Sequence, residues 1–180
     1  RSKTSSNPAQ VVTDTAQTAT TSLRVESTDI ETAITDGVEK VSPAVVTVVA
    51  TLPDQMGFFG TVSGGQSTGS GFILTSDGYI ITNNHVVDGA EKISVIFQNG
   101  EESEVQLIGT DQYSDIAVLK ASGEMPATAT LGDSDLLRPG ESVIAIGSPL
   151  GDFKNTVTTG VISATGRSID TGNGYSMEGL

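Results

Sequence analysis

The chain has 180 residues, 36% of them hydrophobic, enough to bury the core of one domain or two small ones. Nine Lys and Arg face 22 Asp and Glu, a formal net charge of −13, so no basic stripe exists for phosphate contacts and a nucleic-acid partner is argued against. The absence of cysteine removes disulfide and thiolate chemistry, and one histidine leaves zinc only a carboxylate-dominated site, so neither a metal nor a cofactor is expected.

The first residue is Arg1 rather than Met, which is read as a processed product or a piece of a longer reading frame, with any signal or anchor lying upstream. No apolar run reaches the length of a membrane span. Residues 1–27 are rich in Thr, Ser, Ala and Gln without periodicity and read as a flexible linker. A helix is expected next. Thr28 and Glu31 fit a capping box, Ile30, Ile34, Val38 and Val41 make one apolar stripe, and Pro43 ends it.

From there the pattern is that of strands. "AVVTVVA" (44–50) is rich in β-branched residues, and the glycine-rich stretch 56–71 reads as a mobile loop. "FILT" and "YIIT" flank Ser76-Asp77-Gly78, a hairpin signal. "ISVIF" and "EVQLIGT" flank a second one containing Asn99-Gly100, which suits a type I′ turn. "IAVLKA" (116–121), a connector (132–141), "SVIAIG" (142–147) and "TVTTGVISATG" (156–166) follow, and a turn-rich tail ends at Leu180. Short strands at regular spacing predict an all-β barrel or sandwich.

The single histidine, His85, follows the strand "YIIT" and precedes the turn "VVDGA". A lone histidine is more often structural than catalytic, but a strand end puts this one at the edge of the core, within reach of substrate. A histidine base needs an acceptor on its other ring nitrogen. Asp115, just before the strand "IAVL", is the best candidate; Asp88 is too local to reach around the ring, and Asp111 lies in turn-like sequence. The residues alone leave Asp115 open between that role and an Asx-type cap on Ser114 or the next amides. A His-then-Asp order, thirty residues apart in an all-β run, matches a triad order in which serine comes last.

Three segments carry a resemblance. "TGSGFILTSDGYIITNNHVVDGAEKISV", "GTDQYSDIAVLK" and "GESVIAIGSPLGDFKNTVTTGVISATGR" resemble, in order, the histidine segment, the aspartate segment and the opening second-barrel strands of the HtrA/Deg family of trypsin-like serine proteases. The resemblance spans roughly residues 40–180. It implies an all-β, trypsin-like double barrel, with a helix and first barrel over 28–140 and the opening strands of a truncated second barrel over 141–180. It implies an ATP-independent serine endopeptidase that acts on unfolded or misfolded proteins, with His85 as general base and Asp115 as its orienter. It further implies a homotrimer, an extracytoplasmic place in the bacterial cell envelope, and room for a membrane anchor upstream of residue 1.

The family's nucleophile sits in a Gly-Asn-Ser-Gly-Gly-Pro segment that this sequence does not contain, so the serine is expected beyond Leu180 and the chain alone is expected to be inactive. Ser63-Gly64-Gly65 echoes that loop but precedes His85 and lacks its flanking Gly and Pro, so it is rejected as nucleophile. Ser70 and Ser148 read as turn residues, and Phe58 and Phe59 as loop aromatics rather than inter-subunit contacts. The alternative is a non-catalytic binding module on the same fold.

Overall fold

The computed structural model describes residues 27–57, 60–62, 64–148, 156–170 and 176–177. Helix α1 (Ser27–Val41) runs to the predicted stop, where Pro43 lies in a single 3-10 turn, Ser42–Ala44. The side chains of Thr28 and Glu31, the predicted capping box, lie outside the described residues, as do Phe58, Phe59 and Ser63.

Six strands then close a barrel. They are β1 (Val45–Thr51), β4 (Gln66–Ile73), β5 (Tyr79–Thr82), β6 (Lys92–Ile96), β7 (Glu102–Asp111) and β8 (Ile116–Ala121); a small hairpin, β2 (Gln55–Gly57) with β3 (Gly60–Val62), leaves between β1 and β4. The order around the barrel is β1-β4-β5-β8-β7-β6, antiparallel throughout, and β6 returns to β1 with Val48 opposite Val95. Closure leaves no free edge within this sheet. Val46, Val48, Ile73, Ile80, Val95, Ala117 and Leu119 are fully buried and fill the interior. Alternate residues of β1 point the other way, yet Val45 and Thr47 are buried too. Strand β9 (Ser142–Gly147) packs over that outer side, which is why "AVVTVVA" is apolar almost without interruption.

Among its described residues, the glycine-rich stretch 56–71 is in good part strand rather than the mobile loop that its composition predicts. Its second half is β4, paired along β1 from Gln66 to Phe72. The glycines make room for close neighbours. A Cβ at position 69 would stand 2.5 Å from Cγ2 of Val86, and one at 71 would stand 2.9 Å from the Ile81 carbonyl oxygen. Gly69→Ala is therefore expected to destabilise the chain by about 1–3 kcal/mol, the usual cost of overpacking a close contact. Denaturant titration reads this directly, and an unchanged midpoint would mean that Val86 moves aside freely.

Both hairpins form where the turn residues predict. Gly78 needs its positive φ of 98°, and a side chain there would meet the Ala121 carbonyl oxygen at 2.5 Å. The Asn99-Gly100 turn differs in type from the expectation. Gly100 has φ 85° but Asn99 does not have a positive φ, so the turn is not I′. Phe97 and Glu101 close a three-residue loop, and the Asn99 Oδ1 accepts the Glu101 N–H at 2.9 Å. That side-chain bond and the odd loop length favour a type I turn followed by a left-handed glycine.

Beyond the barrel, β9 pairs with β10 (Thr156–Val161), and β11 (Ile169–Asp170) pairs with β12 (Ser176–Met177). Ser70 and Ser148 are not turn residues as read from sequence. Ser70 lies inside β4, and Ser148, buried after β9, donates its N–H to Ser70 Oγ at 2.8 Å. Its hydroxyl accepts from Thr47 Oγ1 at 2.6 Å. Polar groups between two sheets must find partners or lose their water at a cost; the buried Thr47 and Ser148 hydroxyls pair with each other, and the Ser70 hydroxyl takes the Ser148 N–H.

Candidate active site

β5 and β8 are adjacent antiparallel strands with Thr82 opposite Ala117, so the residues just after β5 and just before β8 meet at one end of the barrel. After Thr82 the chain passes Asn83 in an extended conformation and turns into α2 (Asn84–Val87). Val86 and Val87 are buried in the core cluster, which fixes the turn and leaves His85 facing outward with 71% of its side chain exposed. Asp115 is far less open, with 18% of its side chain exposed. Its φ of 52° makes it the one non-glycine with positive φ among the described residues. Asp and Asn tolerate this conformation better than other side chains do.

The two sequence-predicted residues are brought together. His85 Nδ1 lies 2.7 Å from Asp115 Oδ2, and the His85 backbone N–H donates to Oδ1 at 2.9 Å. The Asp115 carbonyl accepts the Asn84 N–H at 3.1 Å. One carboxylate thus serves both the backbone and the ring of the same histidine. The Asx-type capping weighed as an alternative for Asp115 falls to Asp111 instead. Asp111 accepts the Tyr113 N–H at 2.9 Å and the Ser114 hydroxyl at 2.8 Å, building the turn that delivers Asp115. Asn83 received no role from sequence. Its amide donates to both the carbonyl oxygen and Oδ2 of Asp115, each at 3.1 Å.

Partial burial pushes the Asp115 carboxyl up, but the His85 N–H, the imidazole and Asn83 together outweigh it and hold the group below the ordinary carboxylate range. A depressed folded-state pKa contributes stability that is present above the unfolded value, about 3.9, and is lost as pH falls through the folded value. Thermal melts of the chain should therefore show a loss below about pH 4 that is smaller in Asp115→Asn. Identical acid slopes for the two proteins would assign that loss to other carboxylates, such as Asp77 or Asp111.

With Nδ1 held by a carboxylate, Nε2 is the nitrogen presented to solvent and free to exchange a proton with a bound reactant. Beside this end of the barrel lies a cleft of about 700 Å³, lined by Ser70, Asn83 and Ile116 from the barrel and by Ile144 and Ile146 from β9.

The family model for the trypsin-like peptidase domain matches residues 69–179, more than half of the chain. A Bacillus subtilis protein, serine protease Do-like HtrB, is 52% identical over 90 residues, which are 49% of this chain and 20% of that protein. A probable periplasmic serine endoprotease DegP-like from Pseudomonas savastanoi pv. phaseolicola is 55% identical over 87 residues, 48% of this chain and 18% of that protein. Among solved structures, an HtrA-type protease, AlgW with tripeptide, superposes with a TM-score of 0.65 at 40% identity, covering 74% of this chain and 40% of that one. The matches to the curated relatives thus span about a fifth of their length. The family match, the closed six-stranded barrel and these neighbours agree: the chain belongs to the trypsin-like peptidase family, in its HtrA/Deg branch.

Proposed function

We propose that this chain supplies the base half of an HtrA-type serine endopeptidase site. His85 is the general base and later the general acid, and Asp115 is its orienter. The observation that carries this reading is the double contact of Asp115 with His85, one oxygen on the backbone N–H and the other on Nδ1. That geometry favours the tautomer with its proton on Nδ1, which leaves the Nε2 lone pair to take the proton of an attacking serine. The imidazolium so formed faces a carboxylate already held ionised. It then gives the same proton to the leaving amine.

The nucleophile and its oxyanion-binding N–H groups come from a Gly-Asn-Ser-Gly-Gly segment that the 180 residues do not contain. Residues 28–140 are assigned to the helix and the histidine barrel and residues 141–180 to the opening of the second barrel; the linker read over 1–27 lies outside the described residues except for Ser27, which begins α1. The substrates are unfolded proteins and peptides, as the peptide bound to the AlgW relative and the endoprotease names of other relatives suggest. The periplasmic relatives support an extracytoplasmic location in the cell envelope. A homotrimer, with an anchor upstream of residue 1, completes the proposal.

By itself the chain is expected to leave casein and peptide esters unhydrolysed. Joined to a segment that carries the remaining strands and the serine, it should turn them over. Hydrolysis by the chain alone that vanishes on Ser63→Ala would restore Ser63 as nucleophile and overturn this division of the site.

A further inference from the structure

Asn83 occupies the N-cap position of α2 with the extended backbone typical of a cap, φ −81° and ψ 145°. An asparagine there ordinarily accepts an N–H from the first helical turn through its side-chain oxygen. This one makes no such bond. Of the donors it would serve, the His85 N–H goes to Asp115 Oδ1 and the Val86 N–H to the Asn83 backbone carbonyl, while the Asn84 N–H goes to the Asp115 carbonyl. The carboxylate-bearing residue has taken over the cap, and the Asn83 amide is turned around to act as a donor.

We propose that Asn83 is a positioning residue that locks the Asp115 carboxylate in the orientation His85 requires; this rests on the base-and-orienter reading of that pair. The Asn83 Nδ2 reaches the backbone carbonyl and Oδ2 of the same aspartate, both at 3.1 Å. It therefore fixes two things at once: the left-handed backbone of Asp115 and the rotation of its carboxyl group. The imidazole is the poorer anchor, because its side chain is mostly exposed and few neighbours hold it. The His85 N–H holds Oδ1, but one bound oxygen leaves the carboxyl group able to tilt. The Asn83 amide, itself tied to the Asp115 backbone carbonyl, is a further donor on Oδ2 that removes that freedom.

The residue type suits the task. An amide donates without bringing charge, so it does not compete with the imidazolium as a lysine or arginine would. An aspartate at 83 would set a carboxylate against both acceptors it now serves. A glutamine would carry the amide one methylene too far. The orientation of the amide is itself fixed, since its oxygen placed against two acceptors would repel them.

The test uses this chain and the nitrogen-15 resonances of the His85 ring, above the pH at which the ring is charged, with carbon-13 titration of the Asp115 carboxyl. In the unaltered chain, neutral His85 should carry its proton on Nδ1. Asn83→Ala should reduce the Nδ1–H share and move the Asp115 titration up toward the ordinary carboxylate value. Asn83→Asp, which has the same shape, should do both more strongly, and it carries the test if the alanine variant fails to fold. Asp115→Asn should abolish the Nδ1–H preference. Wild-type tautomer and titration in the Asn83 variants, with the preference abolished in Asp115→Asn, would overturn the role of Asn83 and leave the His85–Asp115 pair standing. An unchanged tautomer in Asp115→Asn would instead remove the reading on which the proposal rests.

Discussion

In a polypeptide that continues through the nucleophile segment, His85→Ala is expected to lower kcat by about 10⁵- to 10⁶-fold, with KM nearly unchanged. The size follows from the roles. A serine hydroxyl is a weak nucleophile until its proton is taken, and no other residue in the chain is a histidine that could substitute. A group that acts on the proton of the nucleophile rather than on the substrate leaves binding largely in place when it is removed. What remains should be the contribution of oxyanion donors and substrate binding, which exceeds the reaction in water but no longer depends on pH through an imidazole. His85 is largely exposed, and its side chain is not part of the buried core. The variant should therefore fold, and a steady-state assay with a peptide substrate would read the loss without a stability artefact. A fall of tenfold or less would show that His85 is not the base.

Asp115→Asn is expected to lower kcat by about 10⁴-fold in the same extended polypeptide. Asparagine accepts the left-handed backbone that Asp115 adopts, and its side-chain oxygen can still receive the His85 N–H, so the local fold is retained. Its NH₂ group then faces Nδ1 and forces the ring proton onto Nε2. The base is thereby presented to serine in the wrong tautomer. Raising the pH should recover little of the loss, because the defect is which nitrogen holds the proton rather than whether the ring is charged. Asp115→Ala is the less informative change, since it also strains the backbone and leaves the His85 backbone N–H and ring Nδ1 without their acceptor. A variant with full activity and Asn at 115 would assign the orienting role elsewhere.

How much of this was legible in the sequence depends on the range of the forces involved. The barrel strands other than β4 are legible as short runs rich in β-branched residues between turn signals, and the hairpin at Gly78 is legible because only glycine fits a positive φ against the Ala121 carbonyl. His85 and Asp115 stood out as chemistry-bearing residues at strand ends. That their side chains meet depends on β5 and β8 being neighbours, which the resemblance implied and spacing alone left open. Strand β4 was hidden because Gly69 and Gly71 look like loop residues until Val86 and Ile81 are seen pressed against them. The same holds for Ser70 and Ser148, whose partners are far away in the chain and appear only when β9 folds over β1. Asn83 was passed over for a related reason. Nothing in the sequence marks this asparagine, and its role lies in the direction of its amide, which appears only in the folded chain.

The most direct test of the account is covalent labelling of the nucleophile by a fluorophosphonate in the extended polypeptide. Such a probe reacts with a serine only when a neighbouring base removes its proton, so it measures the proposed partnership without requiring a substrate of the right sequence. The account predicts rapid labelling of the serine in the Gly-Asn-Ser-Gly-Gly segment, abolished by His85→Ala and strongly slowed by Asp115→Asn. A folded polypeptide that stays unlabelled while His85, Asp115 and that serine are all intact would contradict it and leave a trypsin-fold binding module without catalytic power.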